Sequence, residues 1–299
     1  MSSVALLEAD EGGVYAEKLA KLFLSEGVLA GQSCRALSTS PAFLQSPLPG
    51  EWKEGSSKIS EEEKVEEGKL RIAWRYESQG PVKTSIGGSG KSLAHSYDLE
   101  SEMDAGLLAS ADFQTVIVSA QRNGEEVLRE LREELESEKF GQGSRDGSAL
   151  RFLLHAFPSS LWGLSHRELL KEYSKLRLAV RKANAVLLLV APFSAQGELS
   201  RYRNTADIVL ALEYFAGTPS ADDLLLKDYH GRFLLRKLAC LGGLSPVHIP
   251  DCFDLVFKLR RNKFAIQRLH LPPELSGPGP IAGQSACAAA ADSSHKLAF

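Results

Sequence analysis

Three runs of this chain are apolar at nearly every step: Val4–Ala9 (V-A-L-L-E-A), Ala149–Phe157 (A-L-R-F-L-L-H-A-F) and Ala185–Val190 (A-V-L-L-L-V). Successive side chains of a strand point to opposite faces, so such runs need cover above and below. The segments between them supply it. Tyr15–Glu26 repeats apolar residues at helical spacing (Leu19, Leu22, Phe23), with Gly27 as the expected stop. Glu125–Lys139 carries Leu128, Leu131 and Leu135 on one face. Ser165-x-x-Glu168 forms a capping box ahead of Leu169, Leu170, Tyr173, Leu176 and Val180. Strands alternating with helices in this way make an α/β fold: a mainly parallel sheet with helices on both faces.

Shorter strands are expected at Cys34–Ser38, Lys69–Tyr76, Thr115–Ser119 and Ile208–Tyr214. Arg232–Leu238 and Leu255–Leu271 follow without helices between them and should finish the sheet in antiparallel or mixed fashion. The chain has 299 residues and 43% hydrophobic composition, enough for one large domain, placed at residues 1–275. Residues 41–68 turn proline-rich and then acidic and are expected to be a disordered insertion. Residues 77–97 read as a flexible Gly/Ser loop and 276–299 as a flexible tail.

A formal charge of −3 excludes an overall basic nucleic-acid binder, so any RNA surface must be a local patch. The four cysteines make no C-x-x-C and read as reduced thiols of a cytosolic or nuclear protein. No apolar run has the length of a membrane helix, and the N-terminal residues lack the basic lead of a signal peptide.

Two stretches invite comparison with a phosphate-binding loop, G-x-x-x-x-G-K-[ST] between a strand and a helix. Its backbone N–H groups cradle phosphates, its lysine reaches the outer ones and its hydroxyl holds magnesium. Ser85–Leu93 (S-I-G-G-S-G-K-S-L) ends correctly in Gly90-Lys91-Ser92 but has Ser85 for the first glycine and a poor strand before it. The first strand leads into Asp10-Glu11-Gly12-Gly13-Val14-Tyr15, with the right topology and the wrong chemistry. Val14 and Tyr15 replace the lysine, and two acids would repel a triphosphate. The run Ala149–Phe157 ends in His155-Ala156-Phe157-Pro158, where a metal-binding aspartate would be expected. No cofactor and no metal site follows from these residues.

K-L-R-I-A-W-R-Y (69–76), S-S-L-W-G (159–163), L-K-D-Y-H-G (226–231), F-K-L-R-R-N-K-F-A-I-Q-R-L-H-L-P-P-E-L-S (257–276) and the closing H-K-L-A-F resemble, in order, the fourth-subunit family of the Elongator complex. The resemblance implies a RecA-like fold that has lost its functional Walker A and Walker B motifs. It implies assembly with two related RecA-like subunits, the fifth and sixth, into a hetero-hexameric ring beside the catalytic Elongator subcomplex. It implies tRNA as a partner, support of wobble-uridine modification, no membrane, and a cytoplasmic and nuclear location. Any ATP hydrolysis would belong to the assembled ring. The family also carries a T-G-x-x-x-L-D-like helix and a glycine-rich turn before the first strand, to which nothing here corresponds.

Lys258, Arg260, Arg261, Lys263 and Arg268 lie within thirteen residues that contain no acid. A hairpin turning at Arg261-Asn262 would gather these cations at one rim, for salt-sensitive contacts to RNA phosphates or for pairing with a neighbouring subunit. Phe257, Leu259, Phe264 and Ile266 read as core rather than as a base-stacking platform. Arg201 and Arg203 are second-rank RNA candidates. Asp228, Tyr229 and His230 are candidates for turn chemistry or a subunit contact. Two rival readings stand: an active ATPase using Lys91 and Ser92, and a pure scaffold that never touches RNA.

Overall fold

The computed structural model describes residues 2–52, 95–119, 121–141, 148–223, 226–238, 250 and 252–269. The strand expected at 69–76, the Ser85–Leu93 loop with Lys91 and Ser92, and the tail at 276–299 lie outside the described residues. One compact unit runs from Met1 to Leu269.

The three apolar runs form β1 (Ser3–Glu8), β6 (Leu150–His155) and β7 (Ala185–Ala191). Together with β2 (Ser33–Ser38), β5 (Phe113–Ile117) and β8 (Ile208–Tyr214) they make the parallel part of the main sheet. With β9 (Gly231–Lys237), β10 (Leu255–Leu259) and β11 (Phe264–Arg268), the order among the described strands is β11-β10-β9-β8-β1-β7-β6-β2-β5. Strands β9, β10 and β11 join antiparallel, as expected for a stretch with no crossover helix. The expected final strand Leu255–Leu271 is thus two strands and a turn.

Cover on both faces can be read residue by residue. Val4 and Leu6 of β1, and Leu187 and Leu189 of β7, enter one core, with α4 (Gly124–Leu135), α5 (His166–Lys182) and α6 (Ser200–Thr205). Leu7, Leu188 and Val190 enter the other, with α1 (Val14–Leu29) and α2 (Pro41–Gln45). The period of two thus sorts one strand's side chains into two cores. The α/β expectation holds: β1, a strand leading through a glycine-containing bend into α1, lies in mid-sheet between β8 and β7.

Three further expectations are corrected. Gly27 does not end α1, which continues to Leu29 and gives way at Gly31 with φ +66°. Gly27 is present for closeness: a Cβ there would meet the Cδ of Arg151 at 2.8 Å and the Cys34 sulfur. The described part of the 41–68 insertion, residues 41–52, is ordered. Ser40 caps α2, Phe43 and Leu48 are buried, and β3 (Pro49–Glu51) pairs with β4 (Tyr97–Glu102). Burial of two large apolar side chains outweighs the proline content. Tyr97, assigned to the flexible 77–97 loop, begins β4. Between β4 and β5 lies α3 (Ala105–Ser110), capped by Asp104.

Candidate functional site

Ligands of open α/β sheets bind outside the carboxyl ends of the parallel strands. At that end a cleft of about 330 Å³ is lined by Asp10, Glu11, Gly12, Gly13, His155 and Phe193. It is the phosphate-loop position, and its geometry is specific. Gly13 takes φ +71°, left-handed backbone that glycine adopts freely, and donates its N–H to the Asp10 carbonyl at 2.9 Å. The chain thereby bends back over Asp10, whose Oδ1 accepts the Ala16 N–H of the first turn of α1 at 3.0 Å. Asp10 is 2% exposed. A carboxylate of the chain itself satisfies a helix N-terminal donor that an anion could otherwise use.

Tyr15, the next departure from a phosphate loop, is a packing hub. Its ring lies 4.9 Å from Phe257, 5.5 Å from Tyr214, 5.6 Å from His230 and 6.4 Å from Phe264. Burial, followed by the neighbouring Tyr214, pushes its phenol up to about 12. The β10–β11 hairpin is therefore seated on the bend that follows β1.

His155 closes β6 on the other side of the cleft. It is buried, stacks on Phe43 with centroids 4.0 Å apart, and holds Nδ1 2.8 Å from the Ser38 hydroxyl. Its Nε2 is 3.6 Å from Glu17 Oε1, longer than a hydrogen bond. Burial, then the charge of Lys21, push the imidazole down to about 4. Lys21 is itself buried. It donates to the Ser46 carbonyl at 2.6 Å, lies 4.6 Å from the centre of the Phe43 ring, and is pushed by burial down to about 8. Sequence reasoning missed Lys21, Glu17, Ser38 and Phe43. The available signal was Lys21 one residue after Ala20, on the buried side of α1.

Behind the cleft, Glu8 is 1% exposed and held by Arg203, with Nε–Oε1 2.6 Å and Nη2–Oε2 2.8 Å, and by Arg236 at 3.5 Å. Arg203, a candidate for RNA, is thus committed to a buried carboxylate inside the chain. Its charge neutralises Glu8, and moving it out to a ligand would leave that carboxylate unpaired. Arg201 on the same helix is exposed.

The hairpin turns as expected. Arg260 N donates to the Lys263 carbonyl at 2.8 Å, and Arg260, Arg261 and Lys263 are exposed at the tip. The turn rests against β4: Leu99 N donates to the Asn262 carbonyl at 2.9 Å, and Arg261 Nε meets Glu100 Oε1 at 2.6 Å. Lys263 lies over the Trp52 ring at 4.2 Å, and Lys258 over Tyr229 at 5.5 Å. Phe257 is core, as expected, whereas Phe264 is only partly buried and Ile266 is 40% exposed.

His230 has turn chemistry. Its Nδ1 accepts from Leu259 N at 2.8 Å, its N–H donates to the Phe257 carbonyl at 2.9 Å, and its carbonyl accepts from Phe215 N at 2.9 Å. Asp228 is exposed and Tyr229 partly so. Among the described residues no cluster of His, Cys, Asp and Glu could hold a metal ion, and no helix is long and apolar enough to cross a membrane.

A family model described as PAXNEB protein matches residues 1–299. Among curated proteins, Elongator complex protein 4 of Mus musculus is 30% identical, over 92% of this chain and 74% of its own length. That of Danio rerio is 29% identical over 92% and 78%, and that of Homo sapiens 28% over 92% and 73%. Among solved structures, a KaiC-like protein from Pyrococcus horikoshii aligns at 13% identity and TM-score 0.42, covering 89% of each chain.

Proposed function

The chain belongs to the PAXNEB protein family, that of Elongator complex protein 4, and from that premise we propose that it is a non-catalytic accessory subunit of the Elongator complex. In this reading it joins two related RecA-like subunits, the fifth and sixth, in a hexameric ring. The ring holds tRNA for wobble-uridine modification by the catalytic subcomplex, in the cytoplasm and nucleus. The observation that carries the non-catalytic part is the Asp10 carboxylate on the Ala16 N–H. A helix N-terminus occupied by an internal anion, with Tyr15 built into a cluster of rings, repels a triphosphate and offers it no lysine. His155 in place of a carboxylate at the end of β6 gives magnesium no anionic ligand there.

The RNA part is supported by the cationic tip at Arg260, Arg261 and Lys263 on a chain of net charge −3. Lys258 and Arg201 are secondary contacts in this reading, and Asp228 and Tyr229 face a neighbouring subunit. The experiment is calorimetric titration of the purified chain with ATP and magnesium. No heat of binding is expected, unchanged by Lys91→Ala; binding abolished by that substitution would instead establish the ATPase reading.

A further inference from the structure

Between α1, the β3–β4 pair and β11 lies a second cleft, of about 610 Å³, lined by Leu22, Trp52, His95, Tyr97, Lys263 and Phe264. Four of these six carry rings. Lys263 Nζ lies 4.2 Å from the centre of the Trp52 ring, so the indole already works as a π-surface for a cation. Two of the acids nearby are engaged. Glu26 takes the Tyr97 hydroxyl and His95 Nδ1, the latter at 3.2 Å, and Glu100 takes Arg261. The cleft thus presents aromatic faces beside a cationic rim formed by the hairpin tip.

That pairing of features has a known physical use. Single strands are held by cations along the phosphate path and by rings on which exposed bases stack, whereas paired bases are already stacked on one another and offer no free face. Resting on the reading that the hairpin meets RNA, we infer that this cleft receives an unpaired RNA base. Trp52 supplies the stacking surface as Lys263, which lies over its ring, moves to a flanking phosphate. An aliphatic peptide or lipid chain would use the apolar volume but not the cationic rim. A base attached to a phosphodiester backbone uses both.

Trp52 is its own reporter. In a Trp74→Phe background the remaining indole of this chain, Trp162, is 0% exposed and cannot stack on a ligand, and emission of the other subunits is subtracted with a matched Trp52→Phe complex. The complex purified through this chain is titrated with a short single-stranded RNA and with a duplex. The single strand should quench Trp52 emission. Trp52→Ala should weaken single-strand binding about tenfold or more, Trp52→Phe should restore most of it, and duplex binding should change less than about twofold. Single-strand binding that leaves Trp52 emission and the Trp52→Ala affinity unchanged, yet is abolished on reversing Arg260 and Arg261, overturns the cleft and keeps the hairpin. Absence of RNA binding by the unsubstituted complex overturns both. Quenching by an acidic protein segment but not by RNA assigns the cleft to a protein partner and overturns the inference.

Discussion

Asp10 Oδ1 accepts the Ala16 N–H at 3.0 Å, so the bend after β1 ends on an anion supplied by the chain itself. A carboxylate held against a helix N-terminus interacts favourably with the helix dipole and satisfies one of the amides that a helix start leaves open. Asp10→Ala removes both effects and should lower unfolding free energy by about 1 kcal/mol, read from urea denaturation. Asp10→Asn keeps an acceptor and should lose less.

His155 sets an acid limb of stability. The unfolded chain takes up a proton near the ordinary histidine pKa of about 6.5, while the folded chain refuses it until about 4. Between those values the unfolded state binds more protons, so stability falls as pH drops and is intact above the upper value. The span is worth about 3 kcal/mol at most. His155→Asn should flatten that limb, in denaturation midpoints measured across the window. Lys21→Met should move the His155 titration upward in an NMR experiment, because it removes the positive charge that adds to burial.

Glu8 and Arg203 form a bidentate pair on a carboxylate that is 1% exposed. Arg203→Leu leaves that charge with Arg236 alone, 3.5 Å away, and should cost about 3 kcal/mol. Glu8→Gln combined with Arg203→Leu should recover part of the loss, because no buried charge remains. A loss of RNA affinity in Arg203→Leu that exceeds its loss of folded protein would contradict this assignment.

The hairpin tip makes a salt-dependence prediction. Arg260→Glu with Arg261→Glu should weaken RNA binding by the assembled complex. The slope of log K against log salt should flatten by about 0.7 to 0.9 for each phosphate that the protein no longer neutralises. Reversal at Arg261 also sets a carboxylate against Glu100, so folding is checked by circular dichroism. Unchanged affinity and slope in a folded variant would favour the pure scaffold.

Gly231 has no room for a side chain: a Cβ would meet the Phe257 ring at 2.6 Å and the Glu213 carbonyl. Gly231→Ala should cost about 1–3 kcal/mol through overpacking. It should also loosen the seat of the hairpin on Tyr15, visible as increased hydrogen exchange at Leu259 N, which His230 now protects.

The α/β class was legible because each inner strand is apolar at nearly every step, and that pattern demands two covered faces whatever the loops do. The hairpin tip was legible because five cations without an acid must be solvated or paired. Ordering of residues 41–52 was not, since composition reports average polarity and not that Phe43 finds His155 to stack on at 4.0 Å. Nor was the commitment of Arg203: its partner is 195 positions away, and only the parallel neighbours of β1 bring α6 beside Glu8.

By itself, the order of residues determined the layering of helices and sheet and the absence of a lysine from the bend after β1, because both are local properties of pattern and residue type. Only the tertiary structure decided which charges turn inward and which face solvent. Ion pairing and desolvation depend on distance in space, and the folding of β8 to β11 beside β1 converts Arg203 into an internal counter-ion while leaving Arg260, Arg261 and Lys263 at the exposed tip of the sheet.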